Sequence, residues 1–308
     1  VGTPRYNGRM VWVLLVLLYG ILKGSREVAK KKAMMKNTVM EVLVVYTFIS
    51  FLFVIPQVPD AGGLEPEFYF WIALKSFAIF VAWICGFYSL KYLPISLYGV
   101  LDLSRVLFMT FLGVVFLHEV LNVYQVIGLV TVITGLLMLK FNPGKKNRQE
   151  NVKAVSENPV MESARINTPF YVVLAFVSCI LNAVSGFMDK VLMKSVTSSQ
   201  LQFWYMLFLA LYYLIYILIK KERISLSVLK NVFVWIMAVM FVIGDKALFI
   251  ANGMSESKVT VMTLVKQSGV IFAILGGKFV FKEKGILYKM ICALIIIAGI
   301  SVGVIFNV

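Results

Sequence analysis

Residues 141–168, FNPGKKNRQENVKAVSENPVMESARINT, are the one long polar stretch in a chain of 308 residues. Pro143-Gly144, five asparagines and charges of both signs give them the character of a linker. On both sides the sequence is apolar: 60% of the chain is hydrophobic, 15% is charged, and the mean hydropathy is +0.89. Soluble domains carry about 25% charged and 45–50% apolar residues. The composition therefore excludes a soluble globule, a disordered chain, a coiled coil and a disulfide scaffold. Long apolar runs, without the ~10-residue alternation of barrel strands, point to an all-α membrane protein.

Ten segments are long enough to span a bilayer: Asn7–Val28, Thr38–Ile55, Phe68–Leu90, Ile95–Leu117, Val120–Leu139, Pro169–Leu192, Leu201–Ile219, Val232–Ala251, Val259–Phe281 and Ile286–Phe306. The linker divides them into two sets of five, residues 1–140 and 169–308. These halves read as copies. A shift of 162 lays Gly24, Glu27 and Lys32 on Gly186, Asp189 and Lys194. A shift of 164 lays Asp102, Phe108, Glu119 and Gly135 on Lys266, Phe272, Glu283 and Gly299. With an odd number of spans per copy, the second copy enters the membrane upside down. The expected fold is ten transmembrane helices in two inverted five-helix repeats, a transporter design.

Leu90-Lys91-Tyr92-Leu93-Pro94 opens the fourth span, Phe116-Leu117-His118-Glu119 closes it, and Gly128 and Gly135 lie in the fifth. Phe281-Lys282-Glu283 and Gly299 repeat part of the pattern, although the second copy lacks the proline and has Cys292 in place of a glycine. With these residues the whole chain resembles the drug/metabolite transporter superfamily, specifically its EamA-type domain. The resemblance implies a ten-helix basket whose third, fourth, eighth and ninth helices surround a central cavity.

Other chemistry is thin. Cys85, Cys179 and Cys292 are isolated in apolar runs, and the single histidine, His118, cannot build a multi-histidine metal site. No metal, cofactor or enzymatic activity is expected. The formal charge of +15 is read as setting topology and favouring anionic lipid heads, not nucleic acid. No small-residue cleavage site follows the first apolar run, so no removable signal is expected.

The informative residues are charges inside spans. An Arg, Lys or Asp at a helix centre costs ~2.5–3.5 kcal/mol and persists only with a partner, a wet cavity or a function. Lys23, Arg26, Lys278 and Lys289 lie near span ends, within snorkelling reach of headgroups. Deeper in, Tyr98, Asp102, Arg105 and Met109 share one helix face, as do Thr263, Lys266, Gln267 and Val270. Asp245 and Lys246 are adjacent and cannot face one another, and Lys75 lies about two turns into its span. The expected substrate-binding set is Lys75, Tyr98, Asp102, Arg105, Asp245, Lys246, Lys266 and Gln267, with Glu27 and Asp189 available for coupling or gating.

Lys75, Arg105, Lys246 and Lys266 outweigh Asp102 and Asp245 by two positive charges, which a negative substrate would complete. The expectation is a secondary transporter of a small organic anion, a phosphorylated or carboxylated metabolite, working by alternating access as a monomer or homodimer. The alternative is an exporter of amino acids, zwitterions or cationic drugs, which would want an acidic or aromatic cavity. Two membrane aspartates also raise an aspartyl protease, but each neighbours a cation, which opposes a shared proton. A membrane scaffold is the remaining class. Lys and Arg concentrate in the linker and in loops after odd-numbered spans, which places the linker in the cytoplasm and both termini outside. The acidic loop Gln57–Glu67 agrees with an outer face. The plasma (inner) membrane is the expected location.

Overall fold

Thr38 and Thr197 each start a helix by the same device. The threonine hydroxyl accepts from the amide three residues on, while the side chain there, Glu41 or Gln200, returns to the threonine amide. These reciprocal caps satisfy free amides at the first turn and fix where each helix begins. The computed structural model describes residues 6–118, 121–140, 168–222, 224–255, 257, 259–266, 268–283 and 285–305. Among them every long element is an α-helix, as the apolar runs require.

The first half contains α1 (Tyr6–Ala33), α2 (Val39–Val54), α3 (Pro66–Tyr92), α4 (Ile95–Asp102), α5 (Arg105–Leu117) and α6 (Val123–Lys140). The second contains α7 (Thr168–Leu192), α8 (Ser198–Lys220), α9 (Val232–Gly253), α10 (Val259–Lys266), α11 (Gly269–Phe279) and α12 (Ile286–Ile305). Among the described residues, six stretches are long and apolar enough to cross a membrane: Val39–Asp60, Pro66–Tyr92, Ile95–Phe116, Thr168–Leu192, Ser198–Lys220 and Val232–Gly253. Val123–Gly135, Gly269–Phe279 and Ile286–Gly299 are shorter apolar helices. Large apolar side chains such as Phe70, Phe111, Leu218 and Leu287 point outward, the surface a lipid solvent favours.

Two expected continuous spans are broken. Leu103 and Ser104 separate α4 from α5 through tight i→i+3 bonds, Leu103 N to Val100 O at 3.1 Å and Ser104 N to Leu101 O at 3.0 Å. The counterpart break separates α10 from α11, where Ser268 N donates to Val265 O at 3.1 Å. Both breaks fall 164 residues apart, so the repeat extends to this irregularity.

The packing is crossed between halves. α1 lies chiefly on α9 and α11, while α7 lies chiefly on α3 and α5. Glycines permit the first contact: a Cβ on Gly24 would collide with the carbonyl of Gly269, and one on Gly269 with that of Gly20. Gly20 and Gly24 form the small-x-x-x-small step that lets backbones touch. The glycines of the fifth and tenth spans find a partner within the chain. Gly299 meets Gly128 and Thr131, and Gly135 meets Ile296, so α6 and α12 pack on one another.

On the side where the linker attaches, Glu283 ties the halves together. Its carboxylate accepts from the amides of Ile95, at 2.6 Å, and Ser96, at 3.2 Å, and from the Ser96 hydroxyl. It thereby caps α4 with negative charge at the helix N-terminus. Lys289 approaches at 3.5 Å and Lys31 at 3.9 Å, and Lys31 also donates to the carbonyl of Leu93. Lys289 is buried and bonded to Ser96 rather than extended to the membrane surface, while Lys278 is exposed.

Candidate functional site

Between the halves lies a cavity that is partly open to solvent. α1 brings Lys23 and Arg26, α3 brings Lys75, α5 brings Arg105 and α10 brings Lys266. Asp189 of α7 and Asp245 of α9 supply the acids. Trp83, Tyr205, Phe241 and Phe249 form aromatic wall, and Asn182 and Ser185 offer neutral hydrogen-bonding groups.

The helix breaks place two of these cations. Arg105 is the first residue of α5, immediately after the Leu103–Ser104 turn, and Lys266 is the last of α10. Interrupted helices set irregular backbone beside a cavity, where the polar groups released by the break find use.

Pairing divides the charges into three groups. Asp102 sits behind the cavity wall and holds two cations, Lys23 and, at 2.6 Å, Arg105. Lys75, only 2% exposed, lies 3.1 Å from Asp189 and 3.5 Å from the centre of the Tyr205 ring. That combination of carboxylate and π-face offsets the desolvation of a fully buried ammonium. The third group is unpaired. Arg26, Lys266 and Asp245 line the cavity with no ion pair within 4.0 Å among the described residues. Arg26 lies over the Phe241 ring at 4.9 Å.

The structure thus gathers Lys75, Arg105, Asp245 and Lys266 around one space, with Asp102 behind it. Tyr98 belongs instead to a smaller adjoining cavity shared with Glu27, Asp102 and Lys266. Glu27 is held by Lys30 at 2.7 Å, and Asp189 by Lys75. Lys246 is not part of the central cavity. One residue beyond Asp245 turns the helix by about 100°, and its ammonium bonds Gln57 and Ser199, each at 2.8 Å. Gln267 lies outside the described residues.

Lys23 and Arg26 belong to the cavity although their position suggested snorkelling. α1 continues to Ala33, so both lie well inside the helix and are buried. The signal was present: Lys23, Arg26, Glu27 and Lys30 fall at i, i+3, i+4 and i+7, one helix face. α1, α7 and α8 line the cavity beside α3, α5, α9 and α10, a wider set than the four spans the resemblance implies.

The family model for the EamA-like transporter family matches residues 10–141 and 169–305, one match in each half. No curated protein matches the chain. A solved crystal structure superposes with a TM-score of 0.65 over 98% of each chain at 13% identity, a likeness of fold alone. Nearly the whole chain lies within the two family matches, and the apolar helices agree with them. The protein is an integral, multi-pass membrane transporter, not an enzyme, and it belongs to the EamA-like transporter family.

Proposed function

We propose that this transporter carries a small organic anion, a phosphorylated or carboxylated metabolite, by alternating access. One observation carries the reading. Lys23, Arg26, Lys75, Arg105 and Lys266 face Asp102, Asp189 and Asp245, which leaves a surplus of two positive charges at the cavity. A buried surplus is costly, and an anionic substrate relieves it. The loss of Lys246 from the set is made good by Lys23 and Arg26. Arg105 offers a planar donor fork and the lysines act as point charges.

In this reading residues 1–140 and 169–308 are inverted five-span repeats, ten spans in all, joined by 141–168. The crossed packing of α1 and α7 and the matching helix breaks support it. Rocking one repeat against the other would then expose the cavity alternately on the two faces. Anionic lipid heads match the basic loops, and the plasma (inner) membrane is the proposed location.

Counterflow in proteoliposomes across a panel of phosphorylated, carboxylated, zwitterionic and cationic metabolites tests the reading. An anion should exchange, and Lys266→Gln and Arg105→Gln should weaken its thermal stabilisation of the protein while leaving a folded chain. Unchanged affinity in both variants, or a cation as the exchanged species, would overturn it.

A further inference from the structure

The three carboxylates at the cavity are not equivalent. Protonating Asp102 would strand Lys23 and Arg105, and protonating Asp189 would strand Lys75, each inside the protein. Losing one partner of a buried ion pair is strongly destabilising. Asp245 is 8% exposed, opens on the same cavity and makes no ion pair among the described residues, so a proton there breaks nothing. Asp189 shares the cavity with the two unpaired cations, Arg26 and Lys266, but is bound to Lys75, whereas Asp245 is not so held.

We propose that Asp245 is the proton-coupling residue, taking up one proton from solvent as the anion seats on Arg26 and Lys266. The proposal rests on the anion reading of the cavity. Its logic is competition for the same field. While ionised, Asp245 offsets part of the positive charge of Arg26 and Lys266 across the cavity and repels an incoming anion. Once neutral, it leaves both cations to the substrate. By linkage the converse holds equally: a bound anion favours the proton. Anion and proton then occupy the site together and leave together.

Charged and titratable groups face Asp245 from six other helices. Tyr19 and Arg26 face it from α1, Tyr46 from α2, Lys75 from α3, Asp189 from α7, Tyr205 from α8 and Lys266 from α10. Of these, Lys75 and Asp189 are bound to each other. The tyrosines are phenols with ordinary titration near 10, so they stay neutral at physiological pH. Among the described residues, Asp245 is the cavity carboxylate whose proton answers directly to occupancy of the two free cations.

Calorimetry on the full chain in detergent reads this without a transport assay. Sulfate and ethanesulfonate serve as probes because neither titrates between roughly pH 6 and 8. Titrations in buffers of different ionisation enthalpy should show one proton taken up per anion bound at the upper end of that range. Affinity should fall by up to about tenfold per pH unit as Asp245 ionises. Asp245→Asn should bind without proton uptake and with pH-independent affinity, roughly tenfold tighter than wild type near pH 8. Asp245→Glu should restore the uptake, and Lys266→Arg, which keeps the cation without a titrating amine, should retain it even if Asp245→Asn does not fold. Binding without proton uptake in wild type, or a wild-type pH profile in Asp245→Asn, would overturn the coupling role and leave the anion site intact. Failure of both probes to bind at any pH would overturn the anion reading and this proposal together.

Discussion

The Lys23 ammonium on α1 and the Asp102 carboxylate at the end of α4 form a buried ion pair across 79 positions of sequence. Asp102 also holds Arg105, three residues on, at 2.6 Å. The three residues are unequal as a result. Asp102→Asn removes the one ion-pair partner that Lys23 and Arg105 have among the described residues, whereas Lys23→Gln leaves Asp102 with Arg105. Breaking a buried pair costs about 3–5 kcal/mol, so both variants should melt below wild type in detergent, Asp102→Asn by more. Equal melting of the two would refute the triad.

Glu283 makes the linker-side junction sensitive to acid. Burial opposes its charge, but the Ser96 hydroxyl, Lys289, Lys31 and the Ile95 amide outweigh burial and hold the carboxyl below its ordinary value. A folded value below the unfolded one gives stability that is fully present above the unfolded value of about 4.3 and is lost as pH falls through the folded value. Melting temperature should therefore drop in that acid window for wild type. In Glu283→Gln the drop should be smaller, from a lower starting stability at neutral pH. An acid limb of unchanged depth in the variant would show that other carboxylates produce it.

Gly24 tests the crossing of α1 over α11. Any side chain there meets the Gly269 carbonyl, a backbone atom that cannot rotate away. Gly24→Val should cost about 3 kcal/mol, the upper part of the range for overpacked interiors. Gly62 has no atom within 4 Å of an added Cβ, so Gly62→Ala should stay within ~0.5 kcal/mol. Melting of purified variants in one detergent gives the comparison, and a tolerated valine would mean the helices do not touch there.

Orientation follows from charge. With basic residues gathered on the linker side, a cysteine introduced at Asn147 should resist an impermeant thiol reagent in intact cells and react once they are opened. Cys85, Cys179 and Cys292 are buried, so background labelling should be low. Ready labelling from outside would reverse the assignment.

Much of the helix plan was legible because its signals are strong: apolar length, a polar linker, and glycine and acidic positions that recur at fixed shifts. The helix breaks were not. Leu103 and Ser104 carry no proline or glycine, and a tight i→i+3 turn leaves little mark on an apolar run. The cavity was legible in Lys75, Arg105, Asp245 and Lys266, each too deep to reach water easily. It was misread at Lys23 and Arg26 because apolar length alone ended the first span near Val28, when the helix runs on to Ala33. It was misread at Lys246 because adjacency to Asp245 shows that the two diverge without showing which turns inward. Knowing which residue of a pair faces the interior requires the neighbouring helices, and here those come from the other half of the chain.

The crossed packing of α1 and α7 has a consequence for biogenesis. α1 leaves the ribosome well before the helices it rests on, α9 and α11. Through most of translation, Lys23, Arg26, Glu27 and Lys30 sit on a helix without its permanent neighbours, and α3 and α5 wait likewise for α7. Neither half is therefore a complete folding unit. A chain cut within residues 141–168 should yield fragments that mature only when synthesised together, each supplying the helix on which the other closes.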